Sequence, residues 1–139
     1  MLEIRLLDWP AAQAEAQRIR FIVFVEEQRV PPELEMDEHD AHCIHALAFV
    51  EGQAVGTGRL LPDGHIGRMA VLKNWRGRGA GRALLRALID AARRRGDPEV
   101  ALNSQVQALG FYRAEGFEPE GAVYEEAGIP HQAMRMKLA

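Results

Sequence analysis

Six consecutive residues, Arg76-Gly77-Arg78-Gly79-Ala80-Gly81, have the composition of an anion-binding turn. Beyond them, Leu84, Leu85, Leu88 and Ile89 recur at helical spacing, which predicts an amphipathic helix over Gly79–Arg95. The first amides of a helix have no internal acceptor, and the helix dipole adds partial positive charge there. Glycines let the backbone approach a ligand closely. Arg76, Arg78 and Arg82 add full charges. A pyrophosphate suits this place. A ligand-free strand-to-helix turn also accounts for the glycines alone. The run is not a P-loop, which needs Gly-Lys followed by Ser or Thr. Nor is it a dinucleotide fingerprint, since glycines at 77, 79 and 81 have the wrong spacing.

Charge elsewhere is unevenly placed. Glu26–Asp40 holds seven acidic residues against Arg29, and Arg68–Arg95 holds nine basic residues against Asp90. Either these are two solvated faces, or an anionic ligand sits near the second block and a cationic one near the first. His39, His42, Cys43 and His45 have ligand side chains, but on a regular strand His42 points away from Cys43 and His45. No metal site is expected there.

Several elements must position these groups. Asp8 caps a first helix that has Pro10 in its first turn and runs to Glu27; Pro31 and Pro32 end it. Val30–Asp40 reads as a loop with one helical turn. Cys43–Val50, Ala54–Leu61 and Ile66–Val71 read as three strands of an antiparallel meander, with Pro62-Asp63-Gly64 as a turn. Leu72–Arg78 is expected to be loop. After the long helix and Gly96 come a short strand over Val100–Asn103 and a helix over Gln105–Glu115. Strands over Phe117–Tyr124 and Gln132–Leu138 close the chain. Met134 and Met136 read as core filling, and Trp75 as a loop anchor or a ligand cover. This order implies an α+β fold with one mixed sheet, its parallel portion joining the strands near Val71 and Val100 through the long helix.

The bulk properties fit one domain over residues 1–139. Hydrophobic residues make up 47% and charged residues 27%, enough for an ordinary core. The net charge of −3 argues against nucleic-acid binding. The single Cys43 allows no intramolecular disulfide and fits a reducing compartment. No apolar run is long enough for a membrane helix, and Met1–Trp9 lacks a signal-peptide core. A soluble cytoplasmic protein is expected, with no membrane or nucleic-acid partner.

The pattern Arg76-x-x-Gly79-x-Gly81 resembles the acetyl-CoA signature of the GNAT N-acetyltransferases. Gln105, Ala108, Phe111-Tyr112 and Gly116-Phe117 are similar to a later motif of that family, with Gln105 where Asn is more usual. Val23–Gln28, Glu35-x-Asp37, Gly56–Leu60, Gly67–Val71 and Gly128–His131 resemble its ElaA-type branch. The matches span nearly the whole chain. The resemblance implies the GNAT acyl-CoA N-acyltransferase fold, a mixed central β-sheet flanked by α-helices. It also implies acetyl-CoA as acetyl donor, no metal, and a small or peptidyl amine as acceptor. Monomer and homodimer both remain open. The donor would contact Met69, Ala70, Val71, the run Arg76, Gly77, Arg78, Gly79, Ala80, Gly81 and Arg82, then Gln105, Ala108, Phe111 and Tyr112. Met69–Val71 is where the family places a strand bulge.

Acetyl transfer to an amine needs a neutral nitrogen, a donor for the developing oxyanion and a means of releasing the thiolate. Backbone amides near Ala70 and Val71 would serve the oxyanion, and Tyr112 the leaving sulfur. Candidate bases are Glu27, Asp37, Asp40, His45 and His131, or a chain of waters. Glu27, Asp37 and Asp40 would also draw a cationic acceptor. A domain that binds acetyl-CoA without transferring the acetyl group is the alternative.

Overall fold

A computed structural model describes residues 1–138. Strand β1 (Leu2–Leu7) leads into helix α1 (Trp9–Arg20), which starts with Asp8 accepting from the Ala11 N–H at 3.1 Å. The helix runs on to Glu27 as expected, but Phe21–Glu27 is wound as a π-helix. The Gln28 N–H reaches back five residues to the Val23 carbonyl at 3.0 Å. The segment Val30–Asp40 contains α2 (Pro32–Glu35), and a 3₁₀ turn follows over Glu38–His42. Strands β2 (Ile44–Val50), β3 (Gln53–Leu60) and β4 (Ile66–Val71) precede α3 (Ala80–Arg95), whose C-cap is Gly96. Then come β5 (Glu99–Gln105), α4 (Leu109–Ala114), β6 (Glu118–Glu126) and β7 (Ile129–Lys137).

The meander has four strands, in the order β1-β2-β3-β4, because Leu2–Leu7 pairs antiparallel with His45–Val50. The second sheet has the order β5-β7-β6, also antiparallel. The expected parallel contact is one bridge, His65 with Ala101, backed by the Ala101 N–H donating to the Gly64 carbonyl at 3.1 Å. Beyond this bridge β4 and β5 are unpaired, and a wedge opens between the two sheets. β7 begins at Ile129, so His131 lies in a strand rather than in a loop.

Helices cover both faces of the first sheet. The apolar face of α3 buries Leu84, Leu85, Leu88 and Ile89 against Ala46, Ala48, Val55, Val100 and Phe117. On the opposite face Ala12, Ala16 and Ile19 of α1 pack near Leu47, Ala54 and Ala70. Ala46 and Ala48 face α3 while Leu47 faces α1, the alternation a strand requires. Two glycines let α3 sit this close. A Cβ on Gly56 would lie 2.9 Å from Leu84 Cδ1, and one on Gly58 would lie 3.0 Å from Leu88 Cδ1.

Candidate active site

The glycine turn ends on α3, whose N-cap is Gly79 at φ 89° with no side-chain cap. The first free N–H groups of this sixteen-residue helix therefore keep no side-chain acceptor. Gly77 also has a positive φ of 76°, and a Cβ on either glycine would meet nothing within 4 Å. The space before the turn is open, and the glycines answer to backbone conformation. Arg82, 3.2 Å from Glu115, and Arg78, whose guanidinium stacks 5.0 Å from the Trp75 ring centroid, stand around it. Arg76 turns away. Its Nε donates to the Val71 carbonyl at 2.9 Å, and its two Nη groups clasp Glu27.

Strand β4 carries the bulge, one step earlier than Met69–Val71. Thr57 pairs with Ala70 and Arg59 with Gly67, so three steps on β4 match two on β3. Arg68 and Met69 hold the extra residue, and Arg68 adopts a φ of 51°. Ala70 and Val71 stand in register against Thr57 and Gly56. The Leu72 N–H donates to Val55 at 2.9 Å, so the preceding Val71 N–H faces the other way, into the wedge.

The wedge widens into a cavity of about 550 Å³. Residues of β4 and β5 line its walls, together with Phe24 and Gln28 of the first helical segment, Tyr112, and His131. Ala108 and Gln105 also reach it, whereas Phe111 lies outside, 40% exposed and edge-on to Tyr112. Gln105 Nε2 donates to Gln28 Oε1 at 2.8 Å and ties the two sides together.

Tyr112 packs edge-on against Phe117, and its hydroxyl has no hydrogen-bond partner among the described residues. Burial pushes its phenol up to about 12, so the group stays protonated and acts as a donor. His131 pairs with Gln105 on one side and Tyr124 on the other, and its ring stacks on Tyr124. Its Nδ1 lies 2.7 Å from the Ile129 carbonyl, which can only accept. In the neutral ring the proton is therefore on Nδ1, and the lone pair is on Nε2.

The acidic candidates lie elsewhere, because arginines already hold them. Asp40 is 3% exposed; Arg20 binds both of its oxygens, and Arg59 donates to Oδ1 at 2.9 Å. Burial pushes its carboxyl up, but Arg20 and Arg59 outweigh that and the net shift is downward. Asp37 takes a bidentate bond from Arg59, with both contacts at 2.8 Å, which holds its carboxyl far below the usual range. Glu35 pairs with Arg20. Glu27 is depressed by its bond to Arg76. Each of these carboxylates is already paired with an arginine. His45 is buried beneath Trp9, with Nε2 at 2.8 Å from the Asp40 carbonyl. Burial lowers its pKa, and it lies away from the cavity lining. The Cys43 thiol donates to the His39 carbonyl at 3.1 Å, and burial pushes it up to about 11.

Sequence reasoning missed Arg59 and Arg68 as partners of these acids. A signal existed for Arg59, a charge between Gly58 and Leu60 in an otherwise apolar strand. Burial of so long a cation implies an acid opposite it.

The family model described as an acetyltransferase (GNAT) domain matches residues 11–138. YyaT of Bacillus subtilis is 35% identical over 144 residues, covering 99% of this chain and 97% of that protein. ElaA of Escherichia coli is 31% identical across 87% of this chain and 84% of its own sequence. The crystal structure of E. coli ElaA superposes with a TM-score of 0.87, covering 99% of this chain and all of that one. An acyl-CoA N-acyltransferase from Pseudomonas aeruginosa gives 0.87 at 30% identity, over 98% of this chain and 99% of its own. With its uncapped helix start, bulged β4 and opened sheet, the chain belongs to the GNAT acetyltransferase family.

Proposed function

We propose that the protein transfers an acetyl group from acetyl-CoA to an amine by direct attack within a ternary complex. The observation that carries this is the cavity lined by Met69 of the bulged strand together with Gln105, Ala108, Tyr112 and His131. The uncapped α3 N-terminus follows that strand in the chain. The α3 amides and the Gly77–Gly79 turn would hold the pyrophosphate. The Val71 N–H would donate to the thioester oxygen as it gains charge. His131 Nε2 would take a proton from the amine as its nitrogen bonds to the carbonyl carbon. The carbon–sulfur bond then breaks, and the thiolate leaves beside the Tyr112 hydroxyl. A phenol near 12 cannot readily give its proton fully to a thiolate whose conjugate acid is near 8.5. Tyr112 therefore acts by hydrogen bonding rather than by complete transfer.

The test combines calorimetry of acetyl-CoA binding with thiol release across a panel of amines. Tyr112→Phe should lower kcat about tenfold to a thousandfold and leave acetyl-CoA binding intact. His131→Gln should lower kcat about tenfold to a hundredfold, again without loss of donor binding. If acetyl-CoA binds but no amine releases thiol, the protein is a CoA-binding module. An unaltered kcat in Tyr112→Phe, with chemistry limiting, removes Tyr112 from the mechanism.

A further inference from the structure

Beside the cavity, three arginines and three carboxylates form one buried cluster. Arg20 takes Glu35 and Asp40, and Arg59 takes Asp37 and Asp40. These two guanidiniums thus engage every carboxylate of the cluster. Arg68 is left with weaker partners. Its Nε reaches the Glu35 carbonyl at 3.3 Å, and its Nη2 reaches the Leu34 carbonyl at 3.4 Å and Asp37 Oδ2 at 3.1 Å. Among the described residues, Nη1 has no acceptor. The side chain is 25% exposed, against 1% for Arg20 and 6% for Arg59, and it lines the cavity.

The backbone singles out the same residue. Arg68 sits in the β4 bulge at a positive φ, a conformation that a non-glycine residue adopts only at a cost. A bulge re-aims a side chain, and this one aims at the cavity wall one residue before Met69. Burial, followed by the nearby Arg59, lowers the Arg68 pKa, and the guanidinium stays charged. Formal charge in the cluster balances at three against three. What the cavity offers is therefore unused donors rather than net positive charge.

We infer that Arg68 binds a carboxylate carried by the amine that is acylated, so the acceptor is an amino acid or a similar short amino-carboxylate. The free edge of a guanidinium matches a carboxylate in shape and charge. The other ionisable groups facing the cavity are Glu35, Arg59, His65, Tyr112, Glu126 and His131. Glu35 is committed to Arg20, and Glu126 lies exposed on the hairpin at the rim. A cationic acceptor finds no free carboxylate at depth, whereas an acidic one finds Arg68. This rests on the acyl transfer proposed above.

The experiment compares kcat/KM for amino acids with that for their primary amides and methyl esters, and for polyamines, by thiol release at saturating acetyl-CoA. The free acids should exceed their amides by about tenfold or more. Arg68→Gln should bring acid and amide within about twofold of each other and leave the KM for acetyl-CoA unchanged. Arg68→Lys, which keeps the charge but not the fork, should retain part of the preference. Amides or polyamines used as well as the acids overturn the assignment, as does an undiminished preference in folded Arg68→Gln. If Arg68→Gln does not fold, the wild-type ratio and Arg68→Lys decide. Transfer to amines without acid preference overturns this inference alone. Bound acetyl-CoA with no transfer to any amine overturns the acyl-transfer reading and this inference with it.

Discussion

Two charged regions flank the wedge, and they use charge in opposite ways. At residues 76–82 the donors are local in sequence, and the helix start has no side-chain cap. Across the wedge, Arg20, Glu35, Asp37, Asp40, Arg59 and Arg68 come from distant segments and mostly satisfy one another. The first region leaves its backbone donors uncapped, although Arg76 and Arg82 have acidic partners. The second spends its charged groups on holding α1, α2, β3 and β4 together, with Arg68 left partly free and Arg59 Nε without a partner. The density of charge along a chain is thus a poor guide to the charge a site presents. What matters is which groups still lack partners after folding.

The sharpest way to break this contrast is to remove a carboxylate from the second region. Asp40→Ala leaves Arg20 and Arg59 buried without their shared acceptor, and should cost about 3–5 kcal/mol of stability. Thermal or urea unfolding measures it; a loss below about 1 kcal/mol would mean the cluster is not a structural unit. The same region sets an acid limit. Asp37 is held down by Arg59, so its folded pKa lies below its unfolded value of about 3.9. Its contribution is present above that unfolded value and is lost as pH falls toward the folded one. Unfolding free energy should therefore decline below about pH 4, and Asp37→Asn should flatten that decline.

In the first region the corresponding change should strike binding, with a smaller effect on folding. Gly79→Glu puts a carboxylate where an anion would rest, and acetyl-CoA affinity should fall by about a hundredfold or more. Gly79→Ala separates the two effects, since its backbone cost at φ 89° is roughly 1–2 kcal/mol without any charge. Calorimetry on both folded variants makes the comparison. Unchanged affinity in Gly79→Glu would place the pyrophosphate elsewhere.

The sequence made the first region readable because its parts are adjacent and its signals are local. Glycine spacing, the apolar face of α3 and the Gly96 cap each act over a few residues. Leu2-Glu3-Ile4-Arg5-Leu6 also alternates with period two, yet its strand went unrecognised because a short edge strand is defined by its partner β2. The π-helix over Phe21–Glu27 depends on packing, since Val23 meets Ala54 and Ala70 while Phe24 faces the cavity. His131 falls just before the expected strand Gln132–Leu138, whereas β7 starts at Ile129 and accepts Pro130 near its start. The acids of Glu26–Asp40 were legible as charge, but their pairing with Arg59 and Arg68 was not. Their partners lie 15 to 49 residues away, and nothing local couples Asp40 to Arg59.

The smallest expected effect lies where the first region meets the end of the first helical segment. Glu27 closes the first helical segment and clasps Arg76, the first residue of the glycine-turn motif. Both side chains are more than a third exposed, so the pair should contribute less than about 1 kcal/mol to stability. Glu27→Gln keeps the size and removes the charge. Arg76 would still donate through Nε to Val71, so the end of β4 should stay in place. Its guanidinium charge, however, would no longer be neutralised beside the open helix start. Acetyl-CoA should then bind about two- to fivefold more tightly at low salt. The gain should vanish near 0.5 M salt, where the Debye length shrinks to roughly 4 Å. A melting temperature within about 2 °C of wild type would accompany it. Weaker binding at every salt concentration would mean that the clasp shapes the turn. Arg76 would then have to be counted with the self-satisfied charges of the second region rather than with the open donors of the first.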